Sequence, residues 1–433
     1  MTILSRRITI ILLSVLLLLG AGGAIAWLQS AGGKPHDYTT GEQYSAPKPQ
    51  KAIVQPIAQK IAAEQANSPE LTIGHDTAIA EASCKLTPEP PSIKGGVRRI
   101  NIAVIGVDSR IGDNYVKHAD ANHILSIIPD SGRIEITSIP RDTYADAGYN
   151  DTTGLNKLTL VYANRGLRTY LKEATRIAEL DKIDYWVEVG FSQAMGVIEL
   201  FGHKNSKSAL QVLRSRQGLG GDDYQRCYNQ GQFIRQNILR HFNKFDGFTG
   251  DLLLRGGLLL VNTNLNKDKA DEIFEELKEH GFPKDSSAVT VRVRPRALPK
   301  YKVYDFTKDE VYNQLQNKIE RYNEHRRKHD TSFFKSKLTD VSRRLSGVIK
   351  QARADSAKRP QLVINKLRPY FEQRAWLQIP DHLQREAIRG DFETLLVSAY
   401  ERLKKPEEAK RTRNILDYER KLFAPSAEQA QKK

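Results

Sequence analysis

The sequence predicts an α/β domain, with one membrane-spanning segment before it and a helical extension after it. Three observations predict this arrangement. Apolar runs of strand length alternate with helix-period segments between residues 97 and 304. An uncharged run occupies Ile8 to Trp27, and beyond residue 305 the strand pattern gives way to charged helical sequence.

The chain has 433 residues, of which 39% are hydrophobic and 27% charged, enough apolar sequence to build a folded core. That balance excludes a collagen-like or wholly disordered chain. A single stretch is long enough to cross a bilayer, which excludes a polytopic transporter. Two cysteines are too few for a disulfide scaffold or a four-cysteine zinc site. A formal charge of +16 favours anionic partners.

The N-terminus says where that charge resides. Ile8 to Trp27 is about the length of a spanning helix, so residues 8–28 read as a membrane anchor. Arg6 and Arg7 precede it, which keeps residues 1–7 cytoplasmic and sends the remainder across. Ala24, Ile25 and Ala26 form a small-x-small site, so a cleaved signal peptide is the rival reading. Either way, a basic extracytoplasmic part points away from nucleic acid and towards anionic lipids, phosphates or envelope polymers. The expected location is the cytoplasmic membrane, single-pass, with the main domain outside.

Residues 29–96 read as a tether, with scattered Gly, Pro, Ser and Gln and the turn-prone run PEPPSIKGG near its end. The first core strand is expected at Ile100 to Val107, ending in polar Asp108 and Arg110. Two more strands follow in HILSIIPDSGRIEITSIPRD, with PDSG as the turn between them and Asp120 just ahead of the pair. Residues 164–180 have helical spacing, IDYWVEVGF is a strand, and SQAMGVIELFG is a helix stopped by Gly202. In QGQFIRQNILRHF the apolar stripe is Phe233, Ile234, Ile238 and Leu239. A helix from Lys267 to His280 ends at Gly281, and VTVRVRPR is a late strand.

Residues 305–433 read as a helical extension. Leu338, Val341, Leu345, Val348 and Ile349 share one helical face. LLVSAYERLKKPEEAKRTRNIL reads as helix, turn, helix, with Pro406 opening the second. No convincing 34-residue repeat accompanies this pair. It reads as an appendage with a solvated basic face, or as a docking surface for a protein partner.

The residues that carry chemistry are acids and arginines at strand ends. Asp108, Arg110, Asp120, Arg141 and Asp142 flank the first three core strands, and Arg214, Arg216, Asp223, Arg226 and Gln230 lie in LRSRQGLGGDDYQRCYNQGQ. Ligands of open α/β sheets bind at such ends. Arginine forks match phosphate oxygens bidentately, so several at one cleft suggest a phosphate or diphosphate, with plain surface ion pairing the alternative for any single Arg–Asp pair. Two carboxylates among them suit an anionic ligand only with a hard divalent cation between, a condition that Mg²⁺ meets. His118 and His123 flank Asp120, but a regular strand would put them on opposite faces. Cys84 and Cys227 could pair in an oxidising compartment or stay free. No Gly-rich nucleotide loop, nucleophile elbow or His-Glu zinc helix is present.

Taken in order, RINIAVIGVDSR, HADANHILSII, SIPRDTY, RSR, DYQR and NQ resemble the core of the LytR-CpsA-Psr family over about residues 97–300. The resemblance implies an α/β sandwich with a central mixed sheet flanked by helices, a groove for a lipid chain and arginines around a diphosphate. It implies a phosphotransferase that moves a glycopolymer from a polyprenyl diphosphate carrier onto peptidoglycan or another envelope acceptor. Position by position, Asp108 and Arg110 stand in the first motif, and Ala119, Asp120 and Ala121 in place of serine-aspartate-threonine. Arg141 and Asp142 follow, then Lys157 with Thr159 in place of an asparagine. Arg214, Arg216, Asp223 and Arg226 match, and Asn229 replaces an arginine beside the retained Gln230.

On this footing Asp108 and Asp120 hold Mg²⁺, the only cofactor implied. Arg110, Arg141, Lys157, Arg214, Arg216, Arg226 and Gln230 bind the substrate, and Arg141, Asp223 and Arg226 act in catalysis, with Asp223 a candidate base. The rival from another class is a non-catalytic envelope protein that grips anionic lipid head groups or polymers. The retained acids discriminate against it, since a pure anion binder gains nothing from them.

Overall fold

The computed structural model describes residues 85–88, 96–108, 111–112, 117–203, 205–242, 256–296, 300–329 and 341–424. The expected anchor at 8–28, most of the tether, Arg110, Leu338 and Cys84 lie outside the described residues. Among the described residues, no helix is long and apolar enough to cross a membrane.

A mixed six-stranded sheet forms the centre. Its strands are β2 (Ile100–Val107), β3 (Ala119–Ile128), β4 (Arg133–Ile139), β5 (Tyr185–Val189), β6 (Asn262–Thr263) and β7 (Val289–Val293), in the order β6-β5-β2-β3-β4-β7. β2, β3 and β4 form an antiparallel meander, while β5 and β7 join it in parallel. The turn between β3 and β4 falls at Pro129–Ser131 and closes on Gly132 in the left-handed conformation, as PDSG predicts.

Helices cover both faces. On one side α1 (Leu158–Ala178) packs through Leu158, Val161, Tyr170 and Ala174 against Ala103, Ile105, Ile124 and Ile139. On the other lie α2 (Phe191–Leu200), α3 (Ser206–Arg214), α4 (Asp223–His241) and α5 (Lys267–Glu279), over Ile102, Val104, Leu125, Ile134 and Ile136. α4 lies hard against the sheet at Gly231, where an added Cβ would sit 2.7 Å from both Ser138 Oγ and Val291 Cγ1.

Two features depart from the sequence reading. β1 (Lys85–Pro88), within the stretch read as tether, pairs antiparallel with β8 (Lys300–Val303). The C-terminal helices α6 (Asp309–His329), α7 (Val341–Asp355), α8 (Pro360–Glu372), α9 (His382–Arg402) and α10 (Pro406–Leu422) are no solvated appendage. Leu345, Trp376, Leu377, Phe392 and Phe423 belong to the same continuous apolar cluster as Val104 and Val197. Pro406 opens α10, as expected. A buried ionic knot, in which Glu419 accepts from the Trp376 indole and from Arg389 and lies against Arg374, ties these helices together.

Candidate functional site

One end of the sheet opens onto a cavity of about 380 Å³. Its floor is Val104, Gly106, Ala121 and His123 from the sheet; its walls are Phe191, Ala194, Val197 and Ile198 of α2, Leu210 and Leu213 of α3, and Phe233 and Ile234 of α4. The polar lining consists of Asp108, Asp120, His123, Arg214, Arg226 and Gln230. An apolar barrel therefore carries a charged rim.

A β-bulge brings Asp120 to the rim. Gly106 faces Ala121 while Val107 faces Ala119, so Asp120 is the extra residue of β3 at that point. In a regular strand Asp120 would point opposite to Ala121 and His123; the bulge re-aims it so that all three line the cavity. Asp120 thus lies inside the strand and not just ahead of it, because β2 extends the pairing across a stretch with little strand propensity. His118 precedes the strand; its backbone N–H donates to Asp108 Oδ1 at 2.6 Å, with its ring Nδ1 3.3 Å from Asp108 Oδ2.

Beside the rim, carboxylates and cations interlock. Arg141 donates from its guanidinium to Asp120 Oδ1 at 2.8 Å and from its backbone to Asp223 Oδ2 at 3.2 Å. Asp223, in the first turn of α4, also holds Arg216 at 3.0 Å and Arg226 at 2.5 Å. Asp142 lies between Lys157 at 3.4 Å and Arg216 at 3.1 Å. Burial alone would raise the Asp142 pKa, but Lys157, Arg141 and Arg216 outweigh it and hold the carboxyl below its ordinary value.

Arg226 is the most desolvated of these cations. Burial lowers its pKa, Asp223 opposes the shift, and Arg141 and Arg216 add like-charge repulsion. Its Nε is buried without a hydrogen-bond partner among the described residues. An anion at the rim would relieve that deficit.

The structure brings together Asp108, Asp120, Arg141, Lys157, Arg216, Asp223, Arg226 and Gln230. For Arg214 sequence spacing gives no backbone geometry; in the structure it ends α3, lies over the Phe191 ring at 5.2 Å and lines the cavity. Asn229 does not face the cavity; it is fully buried and its amide donates to the backbone of Gln225 and Lys302, binding α4 to β8. Thr159 is buried and its backbone N–H donates to the Arg141 carbonyl at 3.0 Å, fixing that arginine's strand end. Cys227 is free and buried, and burial pushes its thiol pKa well up.

Sequence reasoning named His123 without assigning it to the site. His123 hydrogen-bonds Ser138 Oγ at 2.8 Å, and burial lowers its pKa to about 4, so it is a neutral floor residue. Phe191 and the α2 wall were missed. The signal was SQAMGVIELFG, apolar on more than one face, as befits a helix buried on both sides.

Among the described residues, no three His, Cys, Asp or Glu side chains come together as a metal cage. Asp108 and Asp120 at the rim nonetheless fit a Mg²⁺ ion that takes one or two carboxylates and completes its shell with substrate phosphates and water.

The architecture is thus an α/β domain, a mixed sheet covered by helices, with an apolar cavity and an arginine–carboxylate rim. Residues 75–202 match the LytR_cpsA_psr family, and the motif resemblance is thereby shown for that segment, which ends before Arg214. No match to a curated protein was found. Among solved structures, TagV of B. subtilis is similar at 17% identity and a TM-score of 0.38, over 52% of this chain and 99% of that one. TagT of B. subtilis is similar at 17% identity and 0.32, over 53% and 94%. A structure of TagT bound to LIIa-WTA is similar at 17% identity and 0.31, over 54% and 97%.

Proposed function

We propose that the protein is a membrane-anchored phosphotransferase that moves a glycopolymer from a polyprenyl diphosphate carrier to an envelope acceptor hydroxyl, outside the cytoplasmic membrane. The observation that carries this reading is the continuity of an apolar cavity with a rim of interlocked arginines and acids. A prenyl tail matches the cavity, and a diphosphate matches Arg141, Arg214, Arg216 and Arg226.

In the reaction, an acceptor hydroxyl oxygen forms a bond to the phosphorus that bears the glycopolymer. The bond from that phosphorus to the bridging oxygen breaks, and polyprenyl phosphate leaves with the electron pair. Little covalent chemistry falls to the protein, so positioning and charge stabilisation are its contribution. Arg141 and Arg226 face the growing charge. Asp223 has both oxygens occupied by Arg141, Arg216 and Arg226, so we assign it to holding those cations. The hydroxyl proton then passes to the rim carboxylate Asp120. Mg²⁺ bound there would supply charge neutralisation for the diphosphate.

A transfer assay with a purified lipid-linked donor tests the reading. Arg141→Ala should lower turnover more than donor binding, because the arginine acts on charge that builds during transfer. Asp108→Ala and Asp120→Ala should abolish Mg²⁺-dependent turnover while the fold survives. Ala194→Trp, which fills the cavity, should abolish donor binding. Donor binding without transfer under any metal would establish the non-catalytic role instead.

A further inference from the structure

Five large hydrophobic side chains are exposed among the described residues, and three of them, Tyr144, Tyr149 and Leu155, lie in the single loop between β4 and α1. Tyr144 is 59% exposed and Tyr149 39%. Clustered exposure of this kind marks a binding surface more often than chance.

The loop is pinned in place. The buried Asn156 accepts through Oδ1 from the backbone of Ala147 and Tyr149, and donates through Nδ2 to the Tyr149 carbonyl and Asp151. Asn150 accepts from Thr152 N, and the Tyr144 hydroxyl donates to Asp151 at 3.0 Å. Its two ends are stapled together, Leu158 N to the Thr143 carbonyl and Ala145 N to the Asn156 carbonyl. The rings are therefore held outward in a fixed frame and do not hang on a loose strand.

We propose that this loop is the acceptor subsite, a platform for an uncharged sugar chain. The proposal rests on the transferase reading above and adds the acceptor's seat. Aromatic rings offer flat apolar faces that suit the C–H faces of sugar rings, while amides and carboxylates suit sugar hydroxyls. Between its charged ends the loop carries Asp146, paired with Arg165 at 3.0 Å, and Asp151, so its middle holds no surplus of cations. That balance repels an anionic polymer, whereas the donor's diphosphate has the arginine rim. The loop also starts at Arg141–Asp142 and ends at Lys157, whose ammonium stands 3.4 Å from Asp142. A chain lying on it leads its hydroxyls to the reacting phosphorus.

The experiment uses the full chain in detergent and a tetrasaccharide of β-1,4-linked N-acetylglucosamine as the probe. Tyr144→Ala with Tyr149→Ala should weaken probe binding by about tenfold or more. Tyr144→Phe with Tyr149→Phe, which keeps the rings, should retain most of it. Binding of a polyprenyl diphosphate should be the same in all three proteins, and melting temperature checks that each is folded. Equal probe binding by the folded alanine variant overturns the proposal, as does a wild type that ignores the probe and instead captures a protein through this loop. If probe binding follows the tyrosines but no diphosphate binds, the sugar platform stands and the transferase reading falls.

Discussion

Gly112 donates its backbone N–H to the side-chain oxygen of Gln373 at 2.8 Å, so the C-terminal helical region holds the backbone at Gly112, four residues beyond Asp108. Gly112 has φ +72, and a Cβ there would lie 2.2 Å from the Tyr370 ring. The same region backs the cavity wall. Gln193 of α2 donates to the Glu372 carbonyl, and Gly196 faces Leu377 and Phe423. The C-terminal helices therefore brace two sides of the rim.

Gly112→Ala should lose roughly 1–2 kcal/mol for the left-handed backbone alone, and more from the Tyr370 clash. Urea unfolding measures it. Gln373→Ala should unfold at nearly the wild-type temperature yet turn over more slowly, since it frees the Gly112 backbone without opening the core. Equal turnover would show that the hydrogen bond does not position Asp108.

Asp223→Asn should be among the most destabilising changes at the rim. The side chains of Arg226 and Asp223 are only 8% and 11% exposed, so the substitution leaves a buried guanidinium uncompensated. The expected loss is about 3–5 kcal/mol in chemical denaturation. A loss below 1 kcal/mol would mean that water reaches Arg226 freely.

His123 should make stability depend on pH. Burial lowers its pKa to about 4, with Gln230 opposing the shift and Arg226 adding to it. In the unfolded chain it titrates near 6.5. Between those values the unfolded state binds a proton that the folded state refuses, so stability falls as pH drops from about 6.5 to about 4. The single-site loss is roughly 3 kcal/mol across that window. His123→Gln should flatten the slope in urea titrations at pH 7, 6, 5 and 4.5. Parallel curves for the two proteins would refute a neutral His123.

The anchor is expected to remain on the mature protein. Residues 1–30 should be found by N-terminal sequencing, and the protein should stay with membranes through a carbonate wash. A mature N-terminus at Trp27 would show that a peptidase removes the segment.

Much of the sheet was legible because β2, β4, β5 and β7 are apolar runs with polar ends, and strand ends carry the arginines. Asp120 was misplaced because Ala119 to Asn122 has no β-branched or aromatic residue; pairing with β2, and not local preference, makes it strand. That α3 ends between Arg214 and Arg216 is not legible in three residues of sequence. Asn229 stands where the motif has an arginine, and its role is not legible from that replacement. Only the packing of α4 on β8 shows that its amide is turned inward. The burial of the C-terminal helices was hidden because their charged residues dominate the sequence, while buried Trp376 and Phe392 are few and widely spaced.

The pairing of β1 with β8 joins residues 85–88 to residues 300–303, more than two hundred positions apart in the chain. A polypeptide that emerges N-terminus first cannot make that pair until β8 has followed it out. Until then β1 presents an open edge, the kind of surface that recruits other extended chains. Residues 85–88 therefore close only after the strands of the central sheet have all emerged. A chain truncated before Lys300 would keep much of the central sheet yet leave β1 without its partner strand.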